Sequence, residues 1–269
     1  MRRFSCNRPD FACVQLSGAN ISKSAWWTFC RRSVIVVASF TERKWQILKK
    51  RKIALVLAVT VLCCLVMALV DGVLRPGYGL KSAIKVGMFL LIPFFASQID
   101  RDLQYLSLLR PKKKGLLIAL ILGVGIYGVI LGGYFLLSPY FDFSNIAGAL
   151  TENAGVTKEN FLYISLYISF ANSFLEEFFF RGFVFTNLKR LSGRALAYLF
   201  SAGAFSLYHV AMMIGWFSPA LFLLVMAGLA AGGMIFNWLN EKLDTIYCSW
   251  LTHMFANFAI NTIGFLLLK

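Results

Sequence analysis

Seven apolar runs dominate the sequence from Ile53 onward, each near the ~20 residues needed to cross ~30 Å of hydrocarbon. They fall at 53–70, 82–99, 115–137, 161–188, 195–213, 219–239 and 246–268. A chain of 269 residues with 59% apolar and 14% charged side chains cannot enclose that much hydrocarbon surface in one soluble core. This excludes a soluble enzyme, a disordered protein and an ordinary secreted domain. The expected fold is all-α, a polytopic transmembrane bundle of about seven helices. The second run is the weakest, because Lys85 lies inside it and Pro93 should kink it. The stretch 211–218 reads as a turn or a re-entrant piece. No internal repeat of the kind found in many secondary transporters is visible.

A net charge of +15 raises the question of nucleic acid, and its distribution answers it. Twelve of the 27 Lys and Arg precede Ile53, and most others sit in short gaps between apolar runs. Counted by alternate gaps, 21 fall on the amino-terminal side and five, Lys85 among them, on the other. That bias places the amino terminus in the cytoplasm and the carboxyl terminus outside, with a lipid bilayer rather than nucleic acid as the partner. Residues 1–52 form a basic amino-terminal segment, read either as a loose tail or as sequence upstream of the true start. Residues 53–269 form the transmembrane domain. The six cysteines show no CxxC or zinc-ligand spacing and read as free thiols.

Ionisable groups inside a span are costly, roughly 2.5–3.5 kcal/mol each on insertion scales, and usually face the bundle interior for a purpose. Here they are Glu176, Glu177 and Arg181 in the fourth run, His209 in the fifth and His253 in the seventh. Those are the only two histidines of the chain. Measured from the nearest charged helix end at 1.5 Å per residue, Glu176, His209 and His253 lie at depths of roughly 20, 22 and 14 Å. Three separate segments thus bring a carboxylate and two imidazoles to nearly one level.

Helical spacing sorts these groups. Glu177 and Arg181, four apart in the favourable order, read as a structural ion pair. Glu176 points about 100° away, on the face it shares with Asn172 and Ser173. Ser249, His253, Asn257 and Asn261 form a polar stripe that is either interhelical hydrogen-bond glue or part of a site. Phe205 lies one turn before His209. Small residues from Ala227 to Gly233 permit close helix approach. Either histidine alone reads as packing; with the unpaired Glu176 at equal depth, the set reads as one shared site.

The ordered motifs Glu176-Glu177-Phe-Phe-Phe-Arg181, Phe205-Ser-Leu-Tyr-His209 and His253-Met-Phe-Ala-Asn257 resemble the EExxxR, FxxxH and HxxxN motifs of the CPBP family. This family of intramembrane peptidases includes type 2 CaaX prenyl proteases and lysostaphin-resistance-like (Abi) members. The likeness covers about 115–268. It implies a CaaX-type endopeptidase that hydrolyses peptide bonds within the membrane. By the same resemblance Glu176 is the catalytic carboxylate, His209 assists it, and His253 and Asn257 face the developing oxyanion, with Glu177 and Arg181 in support. The implied substrates are hydrophobic, lipidated or leader peptides; Phe178, Phe179, Phe205 and Phe255 are read as lining for such a ligand or as packing.

A metal is a separate question. Glu176, His209 and His253 could serve as three zinc ligands. No HExxH is present, however, and a ligating Glu176 would leave Glu177 as base while it is paired to Arg181. The favoured reading has no cofactor, with Zn2+ as the alternative. The competing functional class is non-enzymatic: a proton-coupled carrier using the Glu and His groups as a relay, or an immunity or scaffold protein.

Overall fold

The computed structural model of the chain describes residues 23–113, 115–143, 146, 148 and 156–268. Two compact units, Met1–Leu48 and Lys49–Lys269, divide the sequence. Of the basic amino-terminal segment, residues 1–22 lie outside the described residues and helix α1 begins at Lys23.

The described residues form seven helices. They are α1 (Lys23–Leu69, continued by a widened π turn at Val70–Leu74), α2 (Tyr78–Ile99), α3 (Leu116–Leu137), α4 (158–192), α5 (Arg194–Met213), α6 (Pro219–Leu243) and α7 (Ile246–Leu267). Five segments are long and apolar enough to cross a membrane: Glu42–Leu74, α2, α3, α5 and α6. The other two, α4 and α7, are the ones diluted by the buried polar side chains of the motifs. The protein is an all-α integral membrane protein.

The ends of these helices follow from local chemistry. α2 passes through Pro93 without a break because a π turn, Gly87–Leu91, directly precedes it. The wider turn absorbs the missing N–H and the clash of the ring with the preceding turn. α4 stops at Gly193, whose φ of 104° is open to glycine and strained for other residues, and α5 starts at the next position. α6 starts with Pro219 in its first turn. The α5–α6 connection, expected as a turn or re-entrant piece, is a short turn after Met213 containing Gly215 at φ 84°.

α4 is the centre of the unit that begins at Lys49. From Leu175 to Phe185 every residue is buried, and α2, α5, α6 and α7 pack around it. A span carrying Glu and Arg has nowhere else to go, since neither group can face lipid. Phe179, Phe180 and Phe183 form one core with Val56, Cys63 and Met67 of α1, Phe89 of α2 and Phe205 of α5. Phe178 belongs to a second cluster with Leu108 and Ile246. These rings are buried in packing, with Phe179 and Phe205 in the first cluster and Phe178 in the second.

On the charged end of the bundle the α2–α3 loop is tied down. Asp102 accepts a hydrogen bond from Lys52 of α1, and Asn187 of α4 both donates to and accepts from the Gln104 backbone at 2.7 Å. The Lys52 ammonium holds the Asp102 carboxyl below its usual range.

Of the α6 glycines expected to permit close helix approach, Gly233 does so, whereas Gly228 and Gly232 face open space. A Cβ at Gly233 would lie 3.0 Å from the Ala202 backbone of α5 and 3.3 Å from an Arg181 nitrogen. Gly233→Val is therefore expected to force α5 and α6 apart and to cost about 1–3 kcal/mol, an overpacking penalty. Thermal unfolding in detergent should show a lowered midpoint, whereas Gly232→Ala, with open space around its Cβ, should leave it unchanged.

Candidate active site

The acidic pair lies on a short α-helical stretch, Ser173–Glu177, between two π-helical ones, Ile168–Asn172 and Phe178–Phe185. Widened turns displace backbone carbonyls from their usual partners, and in a membrane water cannot replace them. α7 supplies the partners. Asn261 donates to the Ser165 carbonyl (3.1 Å), Asn257 to that of Ile168 (3.2 Å) and Trp250 to that of Phe170 (3.0 Å). The polar stripe on α7 is thus in large part the complement of an irregular α4. Asn261, which also reaches Ser169 Oγ at 3.0 Å, is interhelical glue.

The two acids face different ways, as their 100° offset requires. Glu177 and Arg181 are completely buried and form an ion pair at 3.0 Å. The guanidinium carbon sits 4.4 Å from the centre of the Phe205 ring and 5.0 Å from that of Phe236. Ring faces and one carboxylate hold this cation where no water can. Glu177 has a second role: the same Oε1 accepts a hydrogen bond from His253 Nδ1 at 3.1 Å.

His209 is anchored in parallel fashion. It stands at the joint where α5 breaks between Tyr208 and Val210, and its Nδ1 donates to the Phe205 carbonyl at 2.7 Å. Each ring therefore donates through Nδ1 and turns Nε2 away from that anchor. Phe205 touches both edge-on, with centroids 4.9 Å from His209 and 5.7 Å from His253, while Phe236 stacks on His253 at 5.0 Å.

Glu176 completes the constellation. Its Oε1 accepts from Asn172 Nδ2 (2.9 Å), Lys85 Nζ (3.2 Å) and Tyr208 OH (3.4 Å). Its Oε2 faces the two imidazoles, 3.7 Å from His253 Nε2 and 3.9 Å from His209 Nε2. These separations are too long for direct hydrogen bonds and leave room for a third oxygen to be bridged from one side. The acid and both imidazoles, read from sequence as a shared site, do converge. Among the described residues Asn257 hydrogen-bonds not to these groups but to the Ile168 carbonyl, which leaves its second N–H uncommitted.

As a metal site the three residues fit poorly. Ligands at ordinary zinc distances in a tetrahedron lie about 3.4 Å apart, closer than either gap here. The Lys85 ammonium already neutralises the carboxylate that would have to ligate. No group of three His, Cys, Asp or Glu among the described residues has the arrangement of a metal site.

Sequence reasoning missed Lys85, Asn172 and Tyr208 as members of the site. Lys85 was counted with the charges of the far side, yet it is buried and pairs with Glu176. The signal was present: it is an ionisable group inside an apolar run, the criterion that singled out the acid and the histidines.

Residues 158–259 match the family described as Rce1-like, type II CAAX prenyl endopeptidase. That stretch holds all three motifs and is similar to the CPBP/CaaX proteases, so the chain is an integral membrane protein carrying a domain that matches this family of intramembrane peptidases. No curated protein and no solved structure matches the chain.

Proposed function

We propose that the protein is an endopeptidase in which Glu176 activates water against a peptide bond of a hydrophobic, lipidated or leader peptide held within the bilayer. The observation that carries this reading is the convergence of Glu176 Oε2 with Nε2 of His253 and of His209 at 3.7 and 3.9 Å. A water between them gives one proton to Oε2 as its oxygen attacks the scissile carbonyl carbon. The proton passes to the leaving amine as the C–N bond breaks. An imidazole that takes up a proton on Nε2 becomes a donor to the oxyanion or the amine. For His253 the Glu177 carboxylate behind Nδ1 stabilises that cation, the orienting role a buried acid plays behind a catalytic histidine. The free N–H of Asn257 is assigned to the oxyanion, where one donor contributes about 3–4 kcal/mol. Arg181 holds Glu177 in place through the 3.0 Å ion pair.

The match of residues 158–259 to a prenyl endopeptidase family favours peptides ending in a prenylated Cys-a-a-X sequence, which are amphiphiles suited to a site between helices. The bias of Lys and Arg supports an amino terminus in the cytoplasm. Comparative peptidomics of cells carrying wild type or Glu176→Ala tests the function. A set of cleavage products present only with wild type is expected; identical peptidomes would reject the enzyme in favour of a carrier or scaffold.

The reaction is assigned to the carboxylate without a metal, supported by the wide ligand spacing and by the Lys85 ammonium at 3.2 Å from Glu176. Cleavage should therefore persist after dialysis against EDTA and o-phenanthroline. Loss with chelator and recovery on adding Zn2+ would assign Glu176, His209 and His253 as ligands instead.

A further inference from the structure

Lys85 reaches the site from α2, outside the residues 158–259 that carry the family motifs. A lysine on a spanning helix ordinarily extends toward the interface, because its charge is costly in hydrocarbon. This one turns inward. Its side chain is 7% exposed, and Nζ lies 5.1 Å from the centre of the Tyr208 ring. Nζ donates to Glu176 Oε1 at 3.2 Å and to Asn172 Oδ1 at 2.5 Å. Asn172 in turn donates through Nδ2 to the same Oε1 at 2.9 Å, closing a ring of three side chains.

That ring fixes two things. With Oδ1 committed to the ammonium, the Asn172 amide has one orientation, the one that aims its N–H groups at Glu176. With Lys85, Asn172 and Tyr208 all on Oε1, the carboxylate is turned so that Oε2 alone faces His209 and His253. Charge is matched as well, since Glu177 has Arg181 and Glu176 has Lys85. A lone buried carboxylate beside an ion pair would otherwise lack a counter-charge.

We propose that Lys85 is a positioning residue of the peptidase: it locks the Glu176 carboxylate, through Oε1 and Asn172, in the rotamer that presents Oε2 to the attacking water. The proposal rests on the reading of Glu176 as the general base. Its test uses Lys85→Met, Lys85→Arg and Glu176→Ala in full-length protein at matched membrane levels. The readout is the set of products that disappear in Glu176→Ala cells. Lys85→Met should lose most of these products, while Lys85→Arg, which keeps a cation of similar reach, should retain them. For a synthetic peptide spanning the most abundant such cleavage, Lys85→Met should lower kcat at least 30-fold per folded molecule, with KM within threefold of wild type, the expected direction for misaligning a base by a fraction of an ångström.

A Lys85→Met protein with normal kcat overturns the proposal and leaves Glu176 standing as base. A lowered unfolding midpoint with unchanged kcat makes Lys85 a structural counter-ion only, and also overturns it. Should Lys85→Met not accumulate, Lys85→Gln and Lys85→Arg decide: equal activity in these two refutes the need for the cation. Wild-type products in Glu176→Ala cells would instead sink the underlying reading.

Discussion

Glu176→Gln is expected to abolish cleavage while leaving the bundle folded. The amide has the size of the acid and can keep an oxygen on the Oε1 side, where Asn172, Lys85 and Tyr208 donate. Lys85 also retains the Asn172 carbonyl oxygen, so its charge is not stranded. What the substitution removes is the carboxylate oxygen that faces Nε2 of both His209 and His253. Loss of a positioned general base costs about 10²–10⁴ in rate. The measurement is single-turnover cleavage by purified protein in proteoliposomes, with elution volume and unfolding midpoint as controls for folding. A variant that cuts within threefold of the wild-type rate removes Glu176 from the mechanism.

The largest effect on stability is expected at Arg181. Arg181→Met strands the Glu177 carboxylate in a pocket with no exposure and takes the cation away from the faces of Phe205 and Phe236. Breaking one side of a buried pair costs about 3–5 kcal/mol, chiefly through the unpaired charge left behind. The double variant Arg181→Met/Glu177→Gln should recover most of that loss, because no charge then remains to be buried. It should not recover activity, since His253 Nδ1 loses the carboxylate that orients its ring. Unfolding in a graded series of denaturing detergent reads the first outcome and cleavage reads the second. A double variant as unstable as Arg181→Met alone would show that ring packing, not charge pairing, is what the arginine supplies.

These two expectations separate the adjacent acids by role, and that separation was legible before any coordinates. Consecutive residues on a helix diverge by 100°, so only one of Glu176 and Glu177 can share a face with Arg181. The depth argument likewise brought His209 and His253 to the level of Glu176, because a span has fixed length and a fixed rise per residue. The Asn257–Asn261 stripe was visible, but its partners were not. Whether an amide meets a ligand or a carbonyl depends on where α4 departs from ideal geometry, and the π turn at Ile168–Asn172 has no sequence signature that was read. Lys85 was misplaced for a related reason. A charge near the end of a weak span reads equally as a loop residue or as a buried one, and only the neighbour it meets distinguishes the two.

The sequence by itself determined an α-helical membrane protein, its chemically active side chains and the pairing within α4, since hydrocarbon thickness and helical periodicity act along one chain segment at a time. The tertiary structure decided which oxygen of Glu176 faces the histidines, which nitrogen of each histidine is anchored and which cation balances the acid. Those properties belong to contacts between helices, and in a medium without water each polar atom is defined by the neighbour that satisfies it.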